Sequence, residues 1–146
     1  MSEASYRFFD HTGDFGVELT APGRAAAVAG VARAFLDLLT GAPDAVAERA
    51  ERAVAVHGLT AADTLVAFGN ELLYLFEGEG FLCARFVPEV VEDEVIEGVA
   101  RGEPFDPDRH PIARPIKAVT YHTAELALDE RAAPDEQVRA RLIFDL

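Results

Sequence analysis

The sequence predicts an α+β domain, with two helices packed on a mostly antiparallel sheet. Three observations carry that reading. Two stretches repeat apolar residues at helical spacing, several short runs alternate in the manner of strands, and the two kinds are mixed along the chain without a regular repeat. With 146 residues, half of them apolar, residues 1–146 are read as a single domain with its own core.

Tyr6–Phe9 and Gly16–Thr20 read as strands on either side of a polar turn, Asp10-His11-Thr12-Gly13-Asp14. Arg24–Thr40 reads as a helix with Val28, Val31, Phe35, Leu38 and Leu39 on one stripe, stopped at Gly41 and Pro43. Arg52–His57 is a third strand. Thr60 is placed to cap a second helix, Ala61–Glu77, with Asp63 three residues on. Leu65, Phe68, Leu72, Leu75 and Phe76 form its stripe, and both stripes read as core. Phe81–Val91, with a break expected at Pro88, and Val95–Arg101 follow as strands.

Gly102–Pro111 reads as a stiff polar loop holding Glu103, Asp106, Asp108, Arg109 and His110. The longest strand, Ile116–Leu128, is predicted to turn Ile116, Ala118, Thr120, His122, Ala124, Leu126 and Leu128 to one face, with Lys117 and Val119 on the other. On that pattern His122 is a buried, hydrogen-bonded histidine, and a straight strand cannot bring it together with Lys117. After a turn with Pro134, Val138–Leu146 returns with Val138, Ala140, Leu142 and Phe144 inward and Asp145 outward.

The formal charge is −13, from 26 acidic and 13 basic residues. That argues against a broad nucleic-acid or anionic-membrane surface, which needs clustered cations. Twelve of the basic residues are arginine, leaving Lys117 as the lone lysine and a compact ammonium among planar forks. One cysteine, Cys83, excludes an internal disulfide and reads as core, and no signal peptide or membrane span is seen. A cytoplasmic location is expected. Phosphate-loop, dinucleotide and nucleophile-elbow motifs are missing, so no nucleotide site of its own is expected.

The opening turn carries more chemistry than a bend requires. Asp10, His11 and Asp14 could hold a hard cation such as Ca²⁺, Mg²⁺ or Mn²⁺, or His11 could serve as a base oriented by a carboxylate. The plainer alternative is that Asp and Gly only shape the turn.

Three stretches together resemble the archease family: Phe9-Asp10-His11-Thr12-Gly13-Asp14; Asn70-Glu71-Leu72-Leu73-Tyr74-Leu75-Phe76 with Gly80-Phe81-Leu82; and Lys117-Ala118-Val119-Thr120-Tyr121-His122. Gly102-Glu103, Asp106 and His110 fit the family's polar loop, and Asp145 its acidic residue at the end. Gly13 and Leu146 stand where the family more often has Ala and Ile. The resemblance implies a non-catalytic protein that promotes guanylylation of an RNA-splicing (tRNA) ligase by GTP and metal, sustaining its turnover in tRNA splicing or RNA repair. It further implies a divalent cation, calcium first and Mg²⁺ or Mn²⁺ otherwise, on Asp14, Asp145 and Leu146. Asp10, His11, Lys117, Asp106 and His110 are then supporting or partner-facing residues. The implied partner is the ligase, with RNA met only indirectly. Two other readings stand beside it: a metal-dependent hydrolase using His11 with Asp10 and Asp14, and a metal-independent chaperone-like binding module.

Overall fold

Strand alternation and two helical stripes produce two antiparallel sheets with the helices between them. The structure, a computed structural model, describes residues 3–11 and 13–146, with the backbone alone for His11. One sheet has four strands in the order β1-β2-β7-β6: β1 Ser5–His11, β2 Asp14–Ala21, β7 Val138–Asp145 and β6 Ala118–Leu128. The other has three, β3-β5-β4: β3 Ala50–His57, β5 Val95–Pro104 and β4 Phe81–Glu92. The two-helix, antiparallel α+β reading therefore holds, with the strands divided between two sheets. Helix α1, Arg24–Thr40, packs on β2 and β7 of the first sheet and β4 of the second. Helix α2, Ala61–Glu79, packs on β6 of the first and on β3, β4 and β5 of the second.

The stripes behave as their spacing requires. Val28, Val31, Phe35, Leu38 and Leu39 are buried, as are Leu65, Phe68, Leu72 and Leu75. Each such side chain contributes about 1.5–3 kcal/mol by leaving water. Phe35 meets Phe144 of β7 with ring centroids 6.3 Å apart, and Phe68 meets Phe86 of β4 at 4.7 Å. The Thr60 hydroxyl accepts from Asp63 N at 3.1 Å and starts α2. Gly41 ends α1 in the left-handed region. Cys83 is buried, and burial pushes its thiol up to about 12.

Strand β6 departs from the predicted alternation. Between the pairs Thr120↔Ile143 and Glu125↔Arg141, β6 advances five residues while β7 advances two. The three extra residues form a bulge, and an odd number reverses the strand's phase. Val119 therefore faces the core before the bulge and Leu126 after it. Thr120 lies on the opposite face from the one predicted, and His122 is exposed within the bulge instead of buried. Thr123 sits there at φ 52°, a conformation costly for a β-branched residue, with its hydroxyl accepting from Arg141 Nε at 3.1 Å. Several strand ends also differ: β1 and β2 extend to His11 and Asp14, taking Asp10, His11 and Asp14 out of the predicted turn, β3 begins at Ala50, β5 runs through Glu103 to Pro104, removing Glu103 from the loop, and β6 begins at Ala118.

The outer edge of β6 is closed by a side chain. Asn70 of α2 donates from Nδ2 to Val119 O at 3.0 Å, and Val119 N donates to Asn70 Oδ1 at 2.9 Å. One amide thus stands in for a neighbouring strand. Replacing it leaves a buried donor and acceptor unpaired. Asn70→Ala is expected to lower unfolding free energy by about 1–3 kcal/mol, with faster hydrogen exchange at the Val119 amide, both measurable by denaturant titration and NMR.

Candidate functional site at one end of the four-stranded sheet

Three parts of the chain meet where β1–β2, β7 and β6 terminate together. The β1–β2 register runs Phe8↔Val17, Phe9↔Gly16, Asp10↔Phe15 and closes at His11↔Asp14, leaving a two-residue turn. Gly13 occupies that turn at φ 88°, where a side chain would be strained. The β2–β7 register reaches Phe15↔Phe144, so the next residues along, Asp14 and Asp145, arrive at the same end of the sheet. On the other side of β7, Ala118 pairs with Asp145, and Lys117 N donates to Asp145 O at 2.7 Å. Residues from both extremes of the sequence thereby reach the sheet end at which Lys117 lies.

The core fixes which groups face outward. Phe144 is fully buried and Phe15 packs against the core, so the residues beside them, Asp145 and Asp14, take the other face. Asp145 and Lys117 are exposed, Asp14 is half-buried, and Leu146 packs partly against the core. Arg114 lies 4.8 Å over the Phe15 ring, and its backbone N–H donates to Leu39 O at 3.2 Å. Among the described residues, neither Asp14 nor Asp145 forms an ion pair, and neither do Arg114 and Lys117. A divalent cation is the group that the family resemblance implies. Two carboxylates without a neutralising partner are hard oxygen donors of the kind such an ion takes, so these residues fit it. Among the described residues no group of three His, Cys, Asp or Glu converges to complete a coordination sphere, so further oxygens have to come from main chain, water or a docked partner. The His11 side chain and Thr12 lie outside the described residues.

Asp106 and His110 do different work. The His110 ring is buried, with Asp106 N–H donating to Nδ1 at 2.9 Å. The ring proton is therefore on Nε2, 2.9 Å from Glu103 Oε2. Glu103 is itself 1% exposed and also accepts from Ala47 N, from Arg49 and from both terminal nitrogens of Arg109. The Arg109 fork is the main reason its carboxyl is held down to about 2; burial opposes this, and the Ala47 N–H and His110 add to it. Asp106 Oδ1 accepts from Asp108 N and shapes the turn. These residues hold the start of the segment that leads to Arg114 and Lys117, with the His110 ring buried. The sequence places Glu103 in a loop; what reveals it as the hub is burial, which depends in part on Ala47 and Arg49, more than fifty positions away.

The sheet end is presented to solvent. Grooves of about 660 and 840 Å³ lie elsewhere, one around Arg7, Glu18 and Arg141, the other between α1 and β4. Among the described residues no helix is long and apolar enough to cross a membrane.

The Archease protein family model matches residues 6–146. The protein archease of Methanopyrus kandleri is 34% identical over 124 residues, covering 83% of this chain and 88% of that protein. The protein archease of Pyrococcus furiosus is 29% identical over 144 residues, covering 97% and 98%. The solution structure of protein 1598 of Methanobacterium thermoautotrophicum superposes with a TM-score of 0.75 at 25% identity, covering 97% of this chain and 98% of that one. The crystal structure of a Thermotoga maritima archease, described as a possible chaperone, shares the fold with a TM-score of 0.55 at 19% identity, covering 94% of each chain.

Glu103 sets an acid limit on the fold. Its folded carboxyl titrates near 2 against an ordinary 4.5, so its stabilising contribution is complete above 4.5 and drains away as pH falls toward 2. Glu103→Gln is expected to be less stable at neutral pH and to show a flatter loss between pH 5 and 2 than the parent, by denaturant midpoints across that range.

Proposed function

Because this chain belongs to the archease family, we propose that it activates an RNA-splicing ligase by promoting the ligase's guanylylation. The observation that carries this reading is the meeting of Asp14, Asp145 and Lys117 at one solvent-facing sheet end, with their charges unpaired among the described residues. Asp14, Asp145 and a main-chain oxygen of Leu146 would hold a divalent cation. When bound, that ion supplies positive charge where phosphate oxygens accumulate negative charge during nucleotidyl transfer.

The residues of this chain do the remaining work. Asp145 is fixed by Lys117 N–H at its carbonyl oxygen, leaving its carboxylate free to point outward. Lys117 offers a compact ammonium to an acidic group or phosphate of the ligase. Asn70 and the Glu103 hub hold the segments on which these groups stand. An exposed, mostly acidic surface favours docking onto a basic protein face over gripping RNA directly.

A guanylylation assay of the cognate ligase with GTP and Mn²⁺ tests the reading. Asp14→Ala and Asp145→Ala are expected to lose about tenfold or more of the stimulation, and Lys117→Arg should not restore what Lys117→Ala loses. Full stimulation by both aspartate variants would refute presentation of a metal by this end of the sheet.

A further inference from the structure

One row inward from the two aspartates lies a polar atom without a partner. Across the outer face of the four-stranded sheet, the register aligns Phe9, Gly16, Ile143 and Thr120 on β1, β2, β7 and β6. This row is apolar apart from Thr120. A side-chain carbon at Gly16 would lie 2.2 Å from the Phe9 ring, so the ring occupies the space above that glycine. Arg141 covers the ring at 4.4 Å. Ile143 is 1% exposed although it points away from the main core. Thr120 Oγ1 is buried beside it, and among the described residues it has no hydrogen-bond partner.

A buried hydroxyl left unpaired is unfavourable, and valine has almost the same shape. Valine is what such an apolar niche calls for. Thr120 pairs with Ile143 and Ala118 pairs with Asp145, so Thr120 and Asp145 are diagonal neighbours on one face. Diagonal positions are roughly 7–8 Å apart along the backbone. After the two side chains reach toward each other, the remaining gap suits one water or one oxygen-bound cation.

We infer that Thr120 is a positioning residue for the cation held by Asp14 and Asp145: its hydroxyl takes the ion's water or the Asp145 carboxylate as its partner. This rests on the metal reading of the sheet end, and it assigns to β6 a part in the site beyond Lys117. The unpaired hydroxyl is then a stability cost that binding of the cation relieves.

Calorimetric titration with Ca²⁺ and with Mn²⁺, together with thermal unfolding in chelator, separates the possibilities for the full chain and its Thr120→Val, Thr120→Ser and Asp145→Asn variants. Thr120→Val is expected to unfold about 3 °C higher without metal and to bind the cation roughly tenfold to a hundredfold more weakly, while Thr120→Ser keeps the affinity. Unchanged affinity in Thr120→Val, with binding lost in Asp145→Asn, would overturn the role of Thr120 and leave the aspartate site standing. A lower unfolding temperature for metal-free Thr120→Val would show that the hydroxyl is already paired, and would overturn it too. Failure of the parent chain to bind either ion would remove the metal reading and this inference together.

Discussion

The pairing of β7 with β2 on one side and β6 on the other is the constraint on which the site depends. Asp14 and Asp145 belong to opposite ends of the sequence, and only this ladder makes them neighbours. The ladder is held in register by burial. Val138, Ala140, Leu142 and Phe144 all face the core. A slip of one residue would turn Phe144 outward and drive Asp145 into an apolar interior, losing hydrophobic stabilisation and burying an unpaired charge at once. The position of the acidic pair is therefore enforced by packing on the opposite face of the same strand.

The electrostatics of the rest of the molecule make the cations beside that pair stand out. Ten of the twelve arginines contact a carboxylate, including Arg7 with Glu18, Arg24 with Asp93, Arg33 with Asp44 and Arg85 with Glu48. Most of these pairs are exposed and contribute little to stability. Their consequence is local neutralisation, so that among the described residues few Lys or Arg side chains stand outside an ion pair: Arg114, Lys117 and Arg131. Two of these, Arg114 and Lys117, lie in the segment that leads into β6 at the sheet end, Arg114 over Phe15 and Lys117 beside Asp145.

Much of this was legible in the residues. The helices declare themselves through Val28-Val31-Phe35-Leu38 and Leu65-Phe68-Leu72-Leu75, because burying a stripe requires that spacing. The outward turn of Asp145 followed from alternation against Phe144. Its meeting with Asp14 did not, since no local pattern reports which strands pair, and only resemblance to a family suggested it. The β6 bulge was hidden for a related reason. Three extra residues leave apolar residues on both sides of the interruption, so simple alternation assigned Thr120 and His122 to the wrong face. Glu103 was misread as loop because its burial rests on Ala47, Arg49, Arg109 and His110 meeting around it.

The two misreadings on β6 fall beside the site, and one cause accounts for both. A site at the end of a sheet needs backbone that departs from the ideal ladder, and departures from the ladder are what periodicity cannot see. The bulge lets β6 keep Val119 in the core next to Asn70 while returning Leu126 to the core farther on. It also leaves Thr120 with a buried hydroxyl in an apolar row and holds Thr123 in a costly conformation. A strand selected for stability alone would relax both features, by valine at one position and glycine or asparagine at the other. Their occurrence together on the strand that pairs with Asp145 is the pattern expected where fold stability has been yielded locally to hold polar groups in place.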